Sequence, residues 1–471
     1  MTADAGGSRS AVEGEAPVVE EAADAGARRI LGIAVPTLGV LVAEPIYLLW
    51  DMAVVGRLGA LALAGLAVGG LILGQVSTQL TFLTYGTTAR SSRRFGSGDR
   101  RGAVEEGVQA SWTAIGIGLL ILVVLQVFAR PVVDLIAGGS DIADAALGWL
   151  RIALFGVPLI LLTMAGNGWL RGVQQTRRPL AYVIAGLVIS AVLCPVLVHG
   201  LWGAPRLELE GSAVANVIGQ VVAAAMFLGA LVRRRLLPAG HPDRISLTPR
   251  PAVMRSQLVL GRDLIVRSLA FQACFVSAGA VASRFGAASV AAHQLVLQLW
   301  NFLALALDSL AIAAQTLTGA ALGAGNVRGA QRLARRVTVW STLFAAALAV
   351  FFAAGYEWVP RVFTTDPQVI DRTHVVWWFF VALIPLVGVV FALDGVLLGA
   401  GDAAYLRNTT MGAALIGFLP VIWLSLAFDW GIAGIWSGLS AFIVLRLLAV
   451  SVRAWSGRWA RAGAEIPGGV G

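Results

Sequence analysis

The chain has 471 residues, of which 58% are hydrophobic and only 13% charged. Soluble domains carry about 25% charged residues, so this composition excludes a soluble enzyme, a disordered protein and an ordinary nucleic-acid binder. The net charge of +9 comes from 35 basic residues, all arginine, and their placement along the chain reads as membrane topology. Cys194 and Cys274 lie in separate apolar runs, which leaves no disulfide framework or metal cluster.

Residues 1–27 hold six acids and a single base, Arg9, and read as a disordered tail. The pair Arg28-Arg29 leads straight into a long apolar stretch, with no short apolar core or small-residue cleavage site, so this is no signal peptide. An apolar helix of about 20 residues crosses a bilayer. Twelve such spans are expected at 30–56, 60–89, 104–129, 142–168, 178–200, 211–232, 262–284, 288–320, 333–355, 368–397, 408–427 and 432–453. Residues 233–261, rich in arginine and carrying Pro238, Pro242, Pro249 and Pro251, read as a linker between a lobe at 28–232 and a second at 262–455. Residues 456–471 form a tail, loose beyond Trp459. With the amino terminus inside, 27 arginines fall on the inner side and seven on the outer, with Arg446 within the last span. Both termini are therefore expected to be cytoplasmic.

Three blocks recur at an offset of 227 residues. Arg57-Leu58-Gly59-Ala60 returns as Arg284-Phe285-Gly286-Ala287, and Gly96 to Ala103 returns as Gly323 to Ala330. Asn167-Gly168 likewise returns as Asp394-Gly395. Each half holds an even number of helices, so both halves have the same orientation. The expected fold is an all-α integral membrane protein, with twelve transmembrane helices in two parallel-repeat six-helix bundles around a central cavity.

Four acids lie well inside the spans: Glu44, Asp51, Asp308 and Asp394. A carboxylate at that depth costs at least about 2.5 kcal/mol, which makes each a functional candidate. The bland reading is a carboxyl satisfied by neighbouring helices. Glu44 and Asp51 stand seven residues apart and share a helix face. Pro36 and Pro45 interrupt the same helix as hinge candidates. A carboxyl beside a bendable point can exchange a proton for a cationic substrate, and Asp51 and Glu44 are the proton-coupling candidates. Gln294, Gln298 and Asn301 form a polar stripe on the eighth span; with Asp308, Asp51 and Tyr47 they are assigned to a substrate cavity. Asp308 reads equally as packing glue. Asn167 and Asp394, equivalent by the repeat, are secondary candidates with a structural role beside a Gly-rich turn. The hydroxyls and amides of the second span mostly glue helices together. His293 reads as a packed or capping residue. No HExxH, Walker A or GxSxG pattern occurs, so no ATP hydrolysis, metal, cofactor or covalent catalysis is expected. An ion gradient must supply the energy.

At these residues the chain resembles the MATE (multidrug and toxic compound extrusion) transporters, in particular their DinF-like branch. The resemblance rests on Glu44-Pro45-Ile46-Tyr47 through Asp51 to Gly59, on Leu170-Arg171-Gly172-Val173-Gln174-Gln175-Thr176-Arg177, on Ala306 to Ala311 around Asp308, and on Leu393 to Asp402. It covers residues 28 to 455. It implies twelve helices in two lobes, proton- or sodium-driven export of cationic amphipathic compounds, and a protonation site at Asp51. Many members carry Asn-x-x-Leu-Asp-Pro near the fifth helix, where this chain has Ser190-Ala191-Val192-Leu193-Cys194-Pro195. Losing that second aspartate favours protons over sodium. The expected partners are small cationic or amphipathic substrates, protons (sodium as the alternative) and the bilayer, with no nucleic acid and a monomeric state. A flippase for lipid-linked saccharides is the competing reading; its cavity needs arginines, and the spans offer only Arg267 and Arg446, both near helix ends. A receptor or structural membrane protein is a third reading, opposed by the buried acids next to prolines.

Overall fold

The computed structural model describes residues 26–235, 237, 241 and 244–466. Among the described residues, twelve apolar helices are long enough to cross a membrane: α1 (Ala27–Leu58), α2 (Ala60–Gly96), α3 (Arg100–Ile136), α4 (Ser140–Gly172), α5 (Arg177–His199), α6 (Glu208–Arg235), α7 (Pro251–Phe285), α8 (Ala287–Gly323), α9 (Val327–Ala354), α10 (Pro367–Gly399), α11 (Ala403–Ala427) and α12 (Gly431–Trp455). They form two six-helix bundles, α1–α6 and α7–α12, which meet chiefly where α8 packs on α1 and α2.

Several helices run past their expected ends on the arginine-rich face. Helix α2 continues to Gly96 because Arg90 and Arg94 both pair with Glu106 of α3, at 2.7 and 2.9 Å. Charged residues stay helical there because a neighbouring helix supplies the counter-charge, which hydropathy alone does not register. Helices α3 and α9 begin early for a local reason: Asp99 and Asn326 cap them, each accepting from the backbone N–H three residues on at 2.7 Å. The expected linker is also shorter at its far end, since Pro251 opens α7. The described linker residues dock on α3: Trp112 donates to the carbonyl of Leu247 at 2.8 Å, and Arg250 pairs with Glu105 at 2.9 Å. Pro238 and Pro242 lie outside the described residues, as do residues 1–25 and 467–471 of the two tails.

The 227-residue repeat is visible in the closest helix contacts. Gly168 of α4 meets the backbone of Thr84, and its equivalent Gly395 of α10 meets the backbone of Ala311, the equivalent of Thr84. Across the two bundles, Gly96 presses on the carbonyl of Ala320, while Gly323 presses on that of Arg93. These four residues exchange under the same offset, and any side chain at either glycine would collide with backbone. Small residues allow this approach, and the contact joins the two bundles at the arginine-rich ends of α2 and α8.

The tail beyond Trp459 departs from expectation. Instead of hanging loose, residues 460–466 lie across that face. Fully buried Arg93 donates to the carbonyls of Ala400 (2.8 Å), Gly463 (3.0 Å) and Glu465 (3.1 Å), and Gly463 donates to Leu322 at 3.1 Å. One guanidinium thereby ties α2, the end of α10 and the tail together.

Helix α1 stays continuous through Pro36 and Pro45. Each proline frees the carbonyl four residues earlier. That of Gly32, freed by Pro36, accepts from Thr176 at 3.3 Å. Pro195 in α5 likewise frees Ala191, which accepts from the Trp50 indole at 3.0 Å.

Candidate functional site

Two cavities lie along the seam between the bundles, and Thr81 and Tyr85 of α2 line both. The one on the α1–α6 side has a volume of about 470 Å³, and the one on the α7–α12 side about 300 Å³.

Asp51 is buried away from both cavities. Ser212 of α6 donates to its Oδ2 at 2.8 Å and Cys194 of α5 to its Oδ1 at 3.1 Å. One turn earlier on both helices, Ser190 donates to the Tyr47 hydroxyl at 2.7 Å, so Tyr47 is buried beside Asp51 rather than on a cavity wall. Ser190 and Cys194 are the two positions where the sequence departs from the family's Asn-x-x-Leu-Asp-Pro pattern, and both touch the first helix. No arginine pairs with Asp51 among the described residues. Glu44 and Pro45 do line the larger cavity, with Glu44 exposed in it, and Asn167 joins them from α4.

Asp308, Asp394 and Asn301 line the smaller cavity, whereas Gln294 and Gln298 are exposed outside its lining. Asp308 accepts from the Tyr85 hydroxyl at 2.7 Å, a bond between the two bundles. Asp394 receives Arg267 of α7 and Arg446 of α12 on the same oxygen, each at 2.5 Å, while its other oxygen has no hydrogen-bond partner. Arg446 also stacks 4.7 Å from the centre of the Phe271 ring. The expectation that Arg267 and Arg446, near helix ends, leave the cavity almost without arginine is overturned here. Arg267 sits midway along α7, which begins at Pro251 and not at the expected 262, and only tertiary packing brings it and the sequence-distant Arg446 to one acid. A third arginine, Arg171, lines the larger cavity and is only 3% exposed. The span expected at 142–168 leaves it in an inner loop, whereas α4 runs four residues further, to Gly172.

Tyr85 and Arg171 are thus site residues that sequence reasoning did not single out, and Arg267 and Arg446 are ones it noted in the spans without assigning them to the site. A usable signal existed for Arg446, an arginine within an apolar span; Tyr85 stood within a polar stretch with nothing to separate it from its neighbours. His293 is fully buried, without a hydrogen-bond partner for either ring nitrogen, and packs edge-on against Trp436. Among the described residues no group of His, Cys, Asp and Glu is arranged to hold a metal ion.

Comparison with known proteins follows the same architecture. The MatE family model matches residues 36–196 and 264–423, one segment in each bundle. DNA damage-inducible protein F of Escherichia coli is 30% identical over 437 residues, covering 91% of each chain. Protein DETOXIFICATION 44, chloroplastic, of Arabidopsis thaliana is 29% identical over 435 residues, covering 89% of this chain and 80% of that one. Probable multidrug resistance protein NorM of Thermotoga maritima is 22% identical, covering 92% and 93%. Among solved structures, a MATE protein in the bent conformation superposes with a TM-score of 0.82 at 19% identity, covering 93% of this chain and 96% of that one. A MOP superfamily transporter of Pyrococcus furiosus gives 0.78 at 18%, covering 92% and 95%. With the family model matched in both bundles, this chain belongs to the MATE family of multi-pass membrane transporters of drugs and toxic compounds.

Proposed function

We propose that this chain is a secondary exporter of amphipathic, cationic compounds, driven by proton antiport across a bacterial cytoplasmic membrane with both termini inside. One observation carries the coupling assignment: Asp51 is buried and, among the described residues, is held only by a hydroxyl and a thiol, with no arginine to fix its charge. A carboxyl in that setting has two accessible states, neutral and ionised, whereas Asp394 is tied down by two guanidiniums. Sodium prefers several hard oxygen ligands, and the thiol of Cys194 occupies one side of Asp51 where such a ligand would be needed. With the arginine-rich face inward, the Gly96–Ala320 and Gly323–Arg93 contacts hold the two bundles together on the cytoplasmic side, which supports a cycle in which that contact forms and parts.

Asp51→Asn tests the reading. In proteoliposomes under an imposed pH gradient, ethidium export should fall to the level of empty vesicles while the purified protein stays monodisperse. Export by that variant at the wild-type rate removes Asp51 from the coupling step. Export driven equally well by a sodium gradient at constant pH removes the proton.

A further inference from the structure

The two bundles treat equivalent positions differently. Asp394 of α10 supplies a shared counter-charge to Arg267 and Arg446. Its counterpart in α4 is the neutral Asn167, and one turn further on stands Arg171, for which the described residues supply no ion-pair partner. Arg171 is only 3% exposed, and its Nε has no hydrogen-bond partner. Asp308, which accepts from the Tyr85 hydroxyl at 2.7 Å, also acts electrostatically on Arg171, but from beyond ion-pair distance. Thr163, Asn167 and Arg171, at successive turns of α4, all line the larger cavity, and the buried Thr163 Oγ1 and Asn167 Oδ1 also have no partner. A buried, unpaired guanidinium is costly. With the Thr163 hydroxyl and the Asn167 amide nitrogen it presents the donors that a planar oxyanion needs, while the partnerless Asn167 Oδ1 is left to accept from a donor on the same ligand. Among the described residues, the only other charged group on the lining is Glu44.

We propose that Thr163, Asn167 and Arg171 form a seat for a carboxylate or similar oxyanion on the substrate, so that the larger cavity selects amphipathic zwitterions, their cationic part compensated by Glu44, over plain cations. This refines the exporter reading and rests on it for the identity of the cavity as a substrate site.

The test compares rhodamine B, which carries a free carboxylate, with its ethyl ester, a plain cation, by equilibrium binding to the purified full-length protein at fixed pH without a gradient. The wild type should bind the acid more tightly than the ester. In Arg171→Gln the acid-to-ester affinity ratio should fall about tenfold, the scale of one charge-assisted contact, and Arg171→Lys should restore part of it. Asn167→Asp supplies the missing counter-charge one turn from Arg171 and should lower the ratio in the same way, which keeps the test decisive if Arg171→Gln does not fold. Displacement of the acid by phosphatidylglycerol, dependent on Arg171, would support the seat and assign it to a lipid headgroup rather than a soluble substrate. An unchanged ratio, or equal weakening of both dyes, overturns the seat. Ester transport under a pH gradient reports separately on the exporter reading, so the two can fail independently.

Discussion

Asp394 receives two arginines on one oxygen inside the smaller cavity. Removing one partner of a buried ionic cluster leaves the others uncompensated, at about 3–5 kcal/mol. Asp394→Asn should therefore lower thermal stability in detergent markedly, read as a drop in the unfolding temperature, whereas Asp51→Asn should shift it much less because that site keeps its two neutral donors. A melting curve for Asp394→Asn that overlays the wild type would show that Arg267 and Arg446 find other partners. The contrast also explains what a bare sequence conveys at this scale. Depth in an apolar span marks Glu44, Asp51, Asp308 and Asp394 as unusual, but whether an acid is free or pinned depends on partners from helices far away in the chain. Arg446 is 52 residues from Asp394, and Arg267 is 127 residues away on the other side.

Helices were the most legible part. Long apolar runs and their number were readable because the bilayer imposes length and hydropathy together. Their ends were less so, because Arg90, Arg94 and Glu106 form an ion-pair cluster that hydropathy counts only as polarity. Packing between helices depends on single glycines. A Cβ on Gly395 would strike the Ala311 carbonyl, while one on Gly70 would meet open space. Gly395→Val should thus prevent α10 from closing on α8 and abolish recovery of monodisperse protein, with Gly70→Val recovered normally. Equal recovery of the two would mean that the helices part without loss.

Over the whole molecule, the repeat was visible as three short blocks, and its meaning emerges at the seam where Gly96, Ala320, Gly323 and Arg93 exchange roles. The arginine-rich face also depends on the tail, which composition alone marked as loose because seven residues, 460–466, are too few to carry a hydropathy signal. Arg93→Gln should raise amide hydrogen exchange across residues 456–466 and at the end of α10 several-fold; protection equal to wild type would remove Arg93 from that contact.

The grip of Arg93 on carbonyl oxygens has an evolutionary corollary. A guanidinium that reads main chain is indifferent to which side chains that main chain bears, so substitutions between 460 and 466 are expected to be tolerated among descendants of this gene while Arg93 is retained. Gly463 is the exception: its φ of +138° is one that other residues rarely adopt. Divergence in this stretch would then be a poor guide to whether the clasp persists, and a pairing of arginine with a single invariant glycine a good one.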